Sequence, residues 1–249
     1  MSPSPDKLRA VDAWYWAYSQ KLKLVGGAFQ LEGHEYQVDI LQADVQRQCA
    51  RKATQMAFTE TFGLKTLHGL IYGYYPLGCL YLFPTNDDVT DFSTSRFKPL
   101  IKENPRAIGQ YVRDTDRANL KRIGNGYLYF RGARLTQEIR GKKTSTRLKG
   151  IPVDAVVWDE VDEMSSIAIE MAKGRMKHSN IQKEVYLGNP TIPNYGIDML
   201  YQSSDQRIWM LKCEKCGHYT CLELEFPQCL ERLEDGRVIR LCQHCRDRE

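Results

Sequence analysis

The sequence predicts an α/β fold, a mainly parallel central sheet flanked by helices, with a small C-terminal module built on four cysteines. Three observations carry this expectation. Short apolar runs recur between helical stretches, at 78–83, 126–130, 155–158 and 184–187. Runs this short and this apolar suit strands buried on both faces of a parallel sheet. Polar residues follow three of them directly, as Pro84-Thr85, Asp159-Glu160 and Gly188-Asn-Pro-Thr191, and open α/β sheets bind ligands beyond the carboxyl ends of their strands. Near the C-terminus, four of the eight cysteines fall into two C-x-x-C pairs.

The chain is long enough for one substantial core and a small appendage: 249 residues, 42% hydrophobic and 27% charged, with no signature of disorder. A net charge of +4 suits a polyanionic partner but also many proteins with none, so charge decides nothing. No apolar run reaches the roughly 20 residues that span a bilayer, and the N-terminus lacks a hydrophobic signal core. A soluble, intracellular protein is expected, with no membrane partner. Three parts follow from the pattern. Residues 1–35, with Trp14-Tyr15-Trp16 and the Gly26-Gly27 break, form a helical entry segment and turn; residues 36–208 form the α/β body; residues 209–249 form the cysteine module. The basic run Arg140 to Lys149 lacks apolar periodicity and reads as a loop.

The chemistry starts at Val156-Val-Trp-Asp-Glu160, an apolar strand ending in two consecutive carboxylates. Neighbouring side chains at a strand end point in different directions, so the two can divide tasks. In nucleotide hydrolases the first acid of such a pair, here Asp159, holds Mg²⁺, and the second, Glu160, polarises the attacking water. Asp162 and Glu163 follow at once and read as a solvated acidic turn. The usual phosphate loop, G-x-x-x-x-G-K-[ST], has no match upstream. Two registers compete for its place. One is Arg51-Lys-Ala-Thr-Gln-Met-Ala-Phe-Thr59, with the lysine in front and Thr59 as the hydroxyl near Mg²⁺; the other is Gly63-Leu-Lys-Thr66, which also reads as a helix carrying an exposed lysine.

Taken together, these motifs resemble the large terminase subunits of phages and prophages, in the branch similar to the phage lambda packaging subunit. There the phosphate loop is degenerate, in the form K-x-A-[RQ]-x-G-[FY]-[ST]. Lys52-Ala-Thr-Gln-Met-Ala-Phe-Thr59 is similar: Lys52, Gln55, Phe58 and Thr59 match, and Ala57 stands where the family has glycine. A methyl there restricts positive φ and close approach of a phosphate. Tyr36-Gln37 resembles the segment that contacts the base. Leu82-Phe-Pro-Thr85 with Phe92-Ser93 and 96–101 resembles the family's strand, Pro-Thr turn and helix, and Asn125–Ala133 the strand before the acidic pair. Leu187-Gly-Asn-Pro-Thr191 takes the place of the coupling motif that senses hydrolysis, and Ser204-Asp-Gln-Arg207 also fits this branch. Coverage runs from about residue 36 to 245.

The resemblance implies a P-loop NTPase of the additional-strand type. Lys52 and Glu160 lie 108 positions apart, with two expected strands between them, which leaves room for the inserted strand. It also implies ATP and Mg²⁺ as ligands. The nucleotide would be held by Tyr36, Gln37, Arg51, Lys52, Gln55, Phe58, Thr59, Asp159, Asn189 and Thr191, the magnesium by Thr59 and Asp159, with Lys52, Asp159 and Glu160 catalytic. An arginine should neutralise the transferred phosphate, and Arg51, Arg131, Arg134 and Arg140 are the candidates. Double-stranded DNA, a portal protein, a small terminase subunit and a homo-oligomeric ring are the implied partners, in the cytoplasm of an infected or lysogenic bacterium. DNA would be held by its phosphates, and the 140–149 loop is either a grip on them or a solvated loop. The chain stops four residues past the last cysteine pair, so the nuclease domain of large terminases, and DNA cleavage, are not expected.

Cys213-Glu-Lys-Cys216 and Cys242-Gln-His-Cys245 are knuckles separated by 25 residues, close to the spacing of a zinc ribbon. Four thiolates close a tetrahedral structural Zn²⁺ site with no open position for catalysis. Cys221 and Cys229 are spare ligands or buried thiols, His218 and His244 could replace a cysteine, and Cys49 and Cys79 read as core. A non-catalytic alternative stays open, in which the ribbon binds nucleic acid and the α/β body is a degenerate scaffold. A helicase relative shares the acidic strand end but does not account for the front lysine, the 204–207 segment and the ribbon together.

Overall fold

A computed structural model describes residues 3–134, 137–139, 142–144 and 150–248, and the chain divides into two compact units, Met1–Ser204 and Asp205–Glu249. In the first unit, α1 (Pro5–Val11) begins at the N-cap Ser4, and Asp12 caps α2 (Ala13–Ser19) by accepting from Tyr15 N at 2.9 Å. Trp16 is buried, and the β1–β2 hairpin (Lys23–Leu24, Gly27–Ala28) follows. Next come α3 (Tyr36–Gln42), β3 (Arg47–Arg51) and α4 (Phe58–Ile71).

The sheet is then built outward. Strand β4 (Cys79–Phe83) leads through α5 (Asn86–Phe92) and a π-turn at Ser93–Phe97 into α6 (Lys98–Glu103). The hairpins of β5 (Val112–Arg117), β6 (Leu120–Ile123) and β7 (Gly126–Gly132) come next, with Gly124 at φ +58 in the two-residue turn between β6 and β7. Beyond them lie the small pair β8 (Gln137–Ile139) and β9 (Lys142–Thr144), then β10 (Ala155–Asp159), α7 (Ser166–Lys173), β11 (Lys183–Gly188) and α8 (Gly196–Gln202). Seven strands form one sheet in the order β3-β11-β10-β4-β7-β6-β5. The five from β3 to β7 are parallel, and β6 and β5 add an antiparallel edge.

All four expected strands are present, each extended by one or two residues or trimmed by one. The strand that separates β3 from β10 is β11, which follows Glu160 in the chain. The span between Lys52 and Glu160 supplies β4 to β9. Gly78, at φ +113, admits no side chain, since a Cβ there would stand 2.3 Å from Tyr127 O at the start of the β4–β7 pairing.

Strand alternation sorts the core into two layers. Cys79, Tyr81 and Phe83 of β4 join Ala155 and Val157 of β10 on the face covered by α4, while Leu80, Leu82, Val156 and Trp158 pack on the opposite face with Ala168 and Ala172 of α7. Asp159 continues the Val157 face, the side on which Tyr81 lies. That parity decides the site.

The second unit contains the pair β12 (Leu211–Lys212) and β13 (Tyr219–Thr220), the short helix α9 (Leu222–Glu225) and the hairpin β14 (Leu230–Arg232) and β15 (Val238–Arg240). Among the described residues no helix is long and apolar enough to cross a membrane.

Candidate nucleotide site and cysteine cluster

The loop between β3 and α4 carries the front-positioned lysine. Lys52 N donates to Gly188 O at 3.0 Å and so continues the β3–β11 pairing by one residue. The chain then turns through two left-handed positions, Gln55 at φ 62 and Ala57 at φ 53, and Ala57 is the N-cap of α4 with no side-chain cap. An uncapped N-terminus on a 14-residue helix leaves backbone N–H groups and the positive end of the helix dipole facing outward, which suits an anion. Tyr36 braces this turn. Its hydroxyl donates to Met56 O at 2.7 Å, and its ring stacks on Phe58 at 5.3 Å and 13°. Gln37 is buried beside it. The rival register, 63–66, lies inside α4, where Lys65 Nζ donates to Ile40 O, Ala43 O and Gln48 Oε1 at 2.6, 2.6 and 2.8 Å and ties α3 down.

Both acids converge on this loop. Asp159 is buried at the end of β10, where the Tyr81 hydroxyl donates to its Oδ2 at 3.1 Å and also lies 3.3 Å from Thr59 O. Lys52 Nζ is ion-paired with Glu160 Oε1 and stands 3.6 Å from Asp159 Oδ1. Among the described residues that buried Oδ1 accepts no hydrogen bond. Burial pushes the Asp159 carboxyl above its ordinary value, with the Lys52 ammonium and the Thr59 hydroxyl pulling against it and Glu160 adding to it. A desolvated carboxylate whose Oδ1 has the Lys52 ammonium nearby but no hydrogen bond fits a divalent cation, which would complete its coordination.

Glu160 sits in a left-handed turn at φ 61, and its Oε2 accepts from Asn189 N at 3.2 Å. The acids open on a cleft of about 300 Å³ at the ends of β4 and β10, edged by Thr59, Pro84 and the π-turn residues Ser95 and Arg96. Asp88, Asp91, Asp159, Glu160 and Glu163 all line it, and Arg96 is held by Glu60.

Lys52, Thr59, Asp159, Glu160 and Asn189 thus share one rim of the sheet. Thr191 faces elsewhere, donating through N and Oγ1 to Asp162 at 3.1 and 2.9 Å. Arg51 points to α8, donating to Asp198 Oδ1 at 2.8 Å with its guanidinium 4.1 Å over the Tyr201 ring. Of the other candidate arginines, Arg131 is bonded to the carbonyls of Asn119 and Phe130, and Arg134 is exposed just beyond β7, its N–H on Pro84 O at 3.1 Å. Arg140 and residues 145–149 lie outside the described residues. Sequence reasoning missed Tyr81, Asp88 and Asp91, whose roles come only from the register of β4 and the turn of α5.

In the second unit, the thiol sulfurs of Cys213, Cys216, Cys242 and Cys245 all lie within 4.8 Å of one another, with Cys213–Cys245 and Cys216–Cys242 at 3.7 Å. A tetrahedral Zn²⁺ with bonds of about 2.3 Å requires sulfurs about 3.8 Å apart, so the donor set fits. Each knuckle closes on a left-handed residue, Gly217 at φ 72 and Arg246 at φ 61, whose N–H bonds back to the first cysteine's carbonyl at 2.9 and 2.8 Å. Cys221 and Cys229 are buried outside this cluster, and the exposed His218 and His244, also outside it, stack ring on ring at 4.9 Å.

The sequence matches the family described as the phage terminase large subunit gpA, ATPase domain, over residues 27–248. No curated protein gives a match. Among solved structures, the ATPase domain of the Thermus phage P74-26 large terminase is similar in fold, with a TM-score of 0.51 at 14% identity over 72% of this chain and 71% of that one. A mutant of the same domain gives a TM-score of 0.51 at 14% identity over 72% of each chain. With the family matched across nearly the whole length and the fold shared with a terminase ATPase domain, this chain belongs to the phage terminase large subunit gpA family and carries its ATPase domain.

Proposed function

We propose that this chain is the ATP-hydrolysing motor region of a viral DNA-packaging terminase, of the lambda-like branch and the additional-strand P-loop class. The observation that supports this most is the meeting of Lys52 with Asp159 and Glu160, from β3 and β10, across the intervening strand β11. Lys52 and the N–H groups at the start of α4 hold the phosphates. Thr59 and Asp159 would hold Mg²⁺, which when bound would neutralise phosphate charge. Glu160 orients the attacking water and takes its proton. Tyr36, Gln37, Gln55 and Phe58 shape the loop beneath the nucleotide, Arg51 anchors its root, and Asn189 to Thr191 pass a change at Glu160 onward. With five carboxylates around the cleft, a bare triphosphate is repelled, so the nucleotide enters as its magnesium complex.

The same reading takes 36–208 as the ATPase body, 1–35 as its helical lead and 209–249 as a zinc ribbon with a structural role. Double-stranded DNA, held by its phosphates, a portal protein, a small terminase subunit and a ring of copies of this chain are the partners of packaging. A nucleic-acid-binding ribbon on an inert scaffold is less well supported, because residues 205–249 carry eight Lys and Arg against nine Asp and Glu. Four zinc-bound thiolates would make that unit more negative still.

Titration with a fluorescent ATP analogue, with and without Mg²⁺, tests the assignment together with steady-state phosphate release. Saturable binding that needs Mg²⁺, with turnover, is expected; no binding in either condition contradicts it. The same titration probes the loop. Ala57 is left-handed at a cost of about 1–2 kcal/mol, and glycine relieves this while adding about 0.4–1 kcal/mol of unfolded-chain entropy. Ala57→Gly is therefore expected to change stability by less than about 1.5 kcal/mol and to tighten nucleotide binding about 3- to 10-fold, by removing a methyl from the phosphate path. Weaker binding by the glycine variant contradicts the loop assignment.

A further inference from the structure

Asp162 lies two residues past Glu160, in the turn after β10, where the sequence suggested only a solvated acid. Its carboxylate is taken up by another segment. Oδ2 accepts from the Thr191 N–H and hydroxyl at 3.1 and 2.9 Å, and Oδ1 accepts from Ile197 N at 2.6 Å. One side chain therefore draws together Thr191 and Ile197, the two ends of the stretch 191–197. Gly196 is shaped to that contact: it is left-handed at φ +53, and a Cβ there would stand 2.2 Å from Asp162 Oδ1.

The same stretch is held from the side of the phosphate loop. Gly188 O accepts from Lys52 N at 3.0 Å. Arg51 donates to Asp198 Oδ1 at 2.8 Å, and the other oxygen of Asp198 accepts from Asn194 N at 2.8 Å. Asn189 N in turn donates to Glu160 Oε2 at 3.2 Å. Segment 188–198 thus touches the root of the phosphate loop and the acid turn at once. Glu160 itself is held in a left-handed turn, a conformation that persists only where neighbours impose it.

We propose that Asp162 is a positioning residue: by pinning 189–197 to the acid turn it fixes the Asn189 N–H, which sets the direction of the Glu160 carboxylate and lets a change at Glu160 move that segment. The inference rests on the reading of Glu160 as the group that orients water. Asparagine at 162 keeps the size but turns an –NH₂ toward donors, which breaks the clamp. Valine at 191 keeps the shape and removes only the hydroxyl donor.

The test uses the full chain and its Asp162→Asn and Thr191→Val variants, with nucleotide titration, steady-state kinetics and hydrogen exchange at 189–197 with and without a magnesium ATP analogue. For Asp162→Asn the analogue is expected to bind within about 3-fold of the parent, while kcat falls about 10- to 100-fold at little-changed KM. The nucleotide-dependent change in exchange at 189–197, present in the parent, is expected to disappear. Thr191→Val should move both readouts the same way by less, and it carries the test should the asparagine variant not fold. Parent-like kcat and parent-like exchange in Asp162→Asn overturn the proposal, as does a uniform loss of binding, turnover and thermal stability in both variants. A parent that binds no nucleotide removes the reading of Glu160 and this inference with it, and the titration of the parent alone reveals that case.

Discussion

Glu160→Gln is expected to lower kcat for ATP hydrolysis by about 10²- to 10⁴-fold, the range that a positioned general base contributes. Glutamine preserves the size of the side chain and can still accept from Asn189 N, the 3.2 Å contact of the parent. What it loses is the capacity to take a proton. Binding should move the other way. In the parent, Lys52 Nζ is neutralised by Glu160, and that ion pair must open before the ammonium can meet a phosphate. Removing the charge at 160 frees Lys52 and removes a carboxylate that repels the triphosphate, so the nucleotide affinity of the glutamine variant should equal or exceed the parent's. Phosphate release and equilibrium titration on the same preparations check both signs. Turnover within about 3-fold of the parent contradicts the role assigned to Glu160.

Metal removal should have its largest effect on the second unit. Its buried apolar residues are Leu241 and the four cysteines 213, 221, 229 and 242, while Tyr219, Leu224, Phe226 and Val238 are each more than half exposed. A unit of about 45 residues with so little core cannot offset its chain entropy by burial alone. A structural Zn²⁺ contributes about 10–16 kcal/mol in comparable small modules at neutral pH, which is enough to decide whether the unit is folded. Metal analysis is expected to find one Zn²⁺ per chain. Chelation, or Cys213→Ser, should abolish slow hydrogen exchange across 205–248 while leaving the β4 and β10 amides protected. A chain that holds no zinc yet shows protected amides in this unit contradicts the assignment.

How much of this was legible in the sequence depends on burial. Strands β4 and β10 are buried at every position, so they read as unbroken apolar runs. Strand β3 is an edge strand, only partly buried, and its Arg-Gln-Cys-Ala-Arg sequence carries no such signal. Strand β5, at the other edge, is polar for the same reason, while β6 inside the sheet alternates half-buried and buried positions, one of them the buried Lys121. Asp159 and Glu160 stood out because two adjacent acids at the end of an apolar strand are costly unless used. Lys52 stood in one of two competing registers, and only the family resemblance favoured it over 63–66. Tyr81 and Asp162 could not be read at all. Tyr81 reaches Asp159 because it is in register with Val157 on the neighbouring strand, and Asp162 acquires its partners from a segment about 30 residues further along. Pairings of that kind are products of sheet order, which places β11 beside both β3 and β10.

A structure of the chain bound to Mg²⁺ and a non-hydrolysable ATP analogue tests the convergence of Lys52 with the acid pair most directly. The expected result has Lys52 Nζ released from Glu160 and within about 2.7–3.2 Å of phosphate oxygens, with Asp159 and Thr59 directed at the metal beside it. A nucleotide bound elsewhere, with Lys52 still paired to Glu160, would contradict the account.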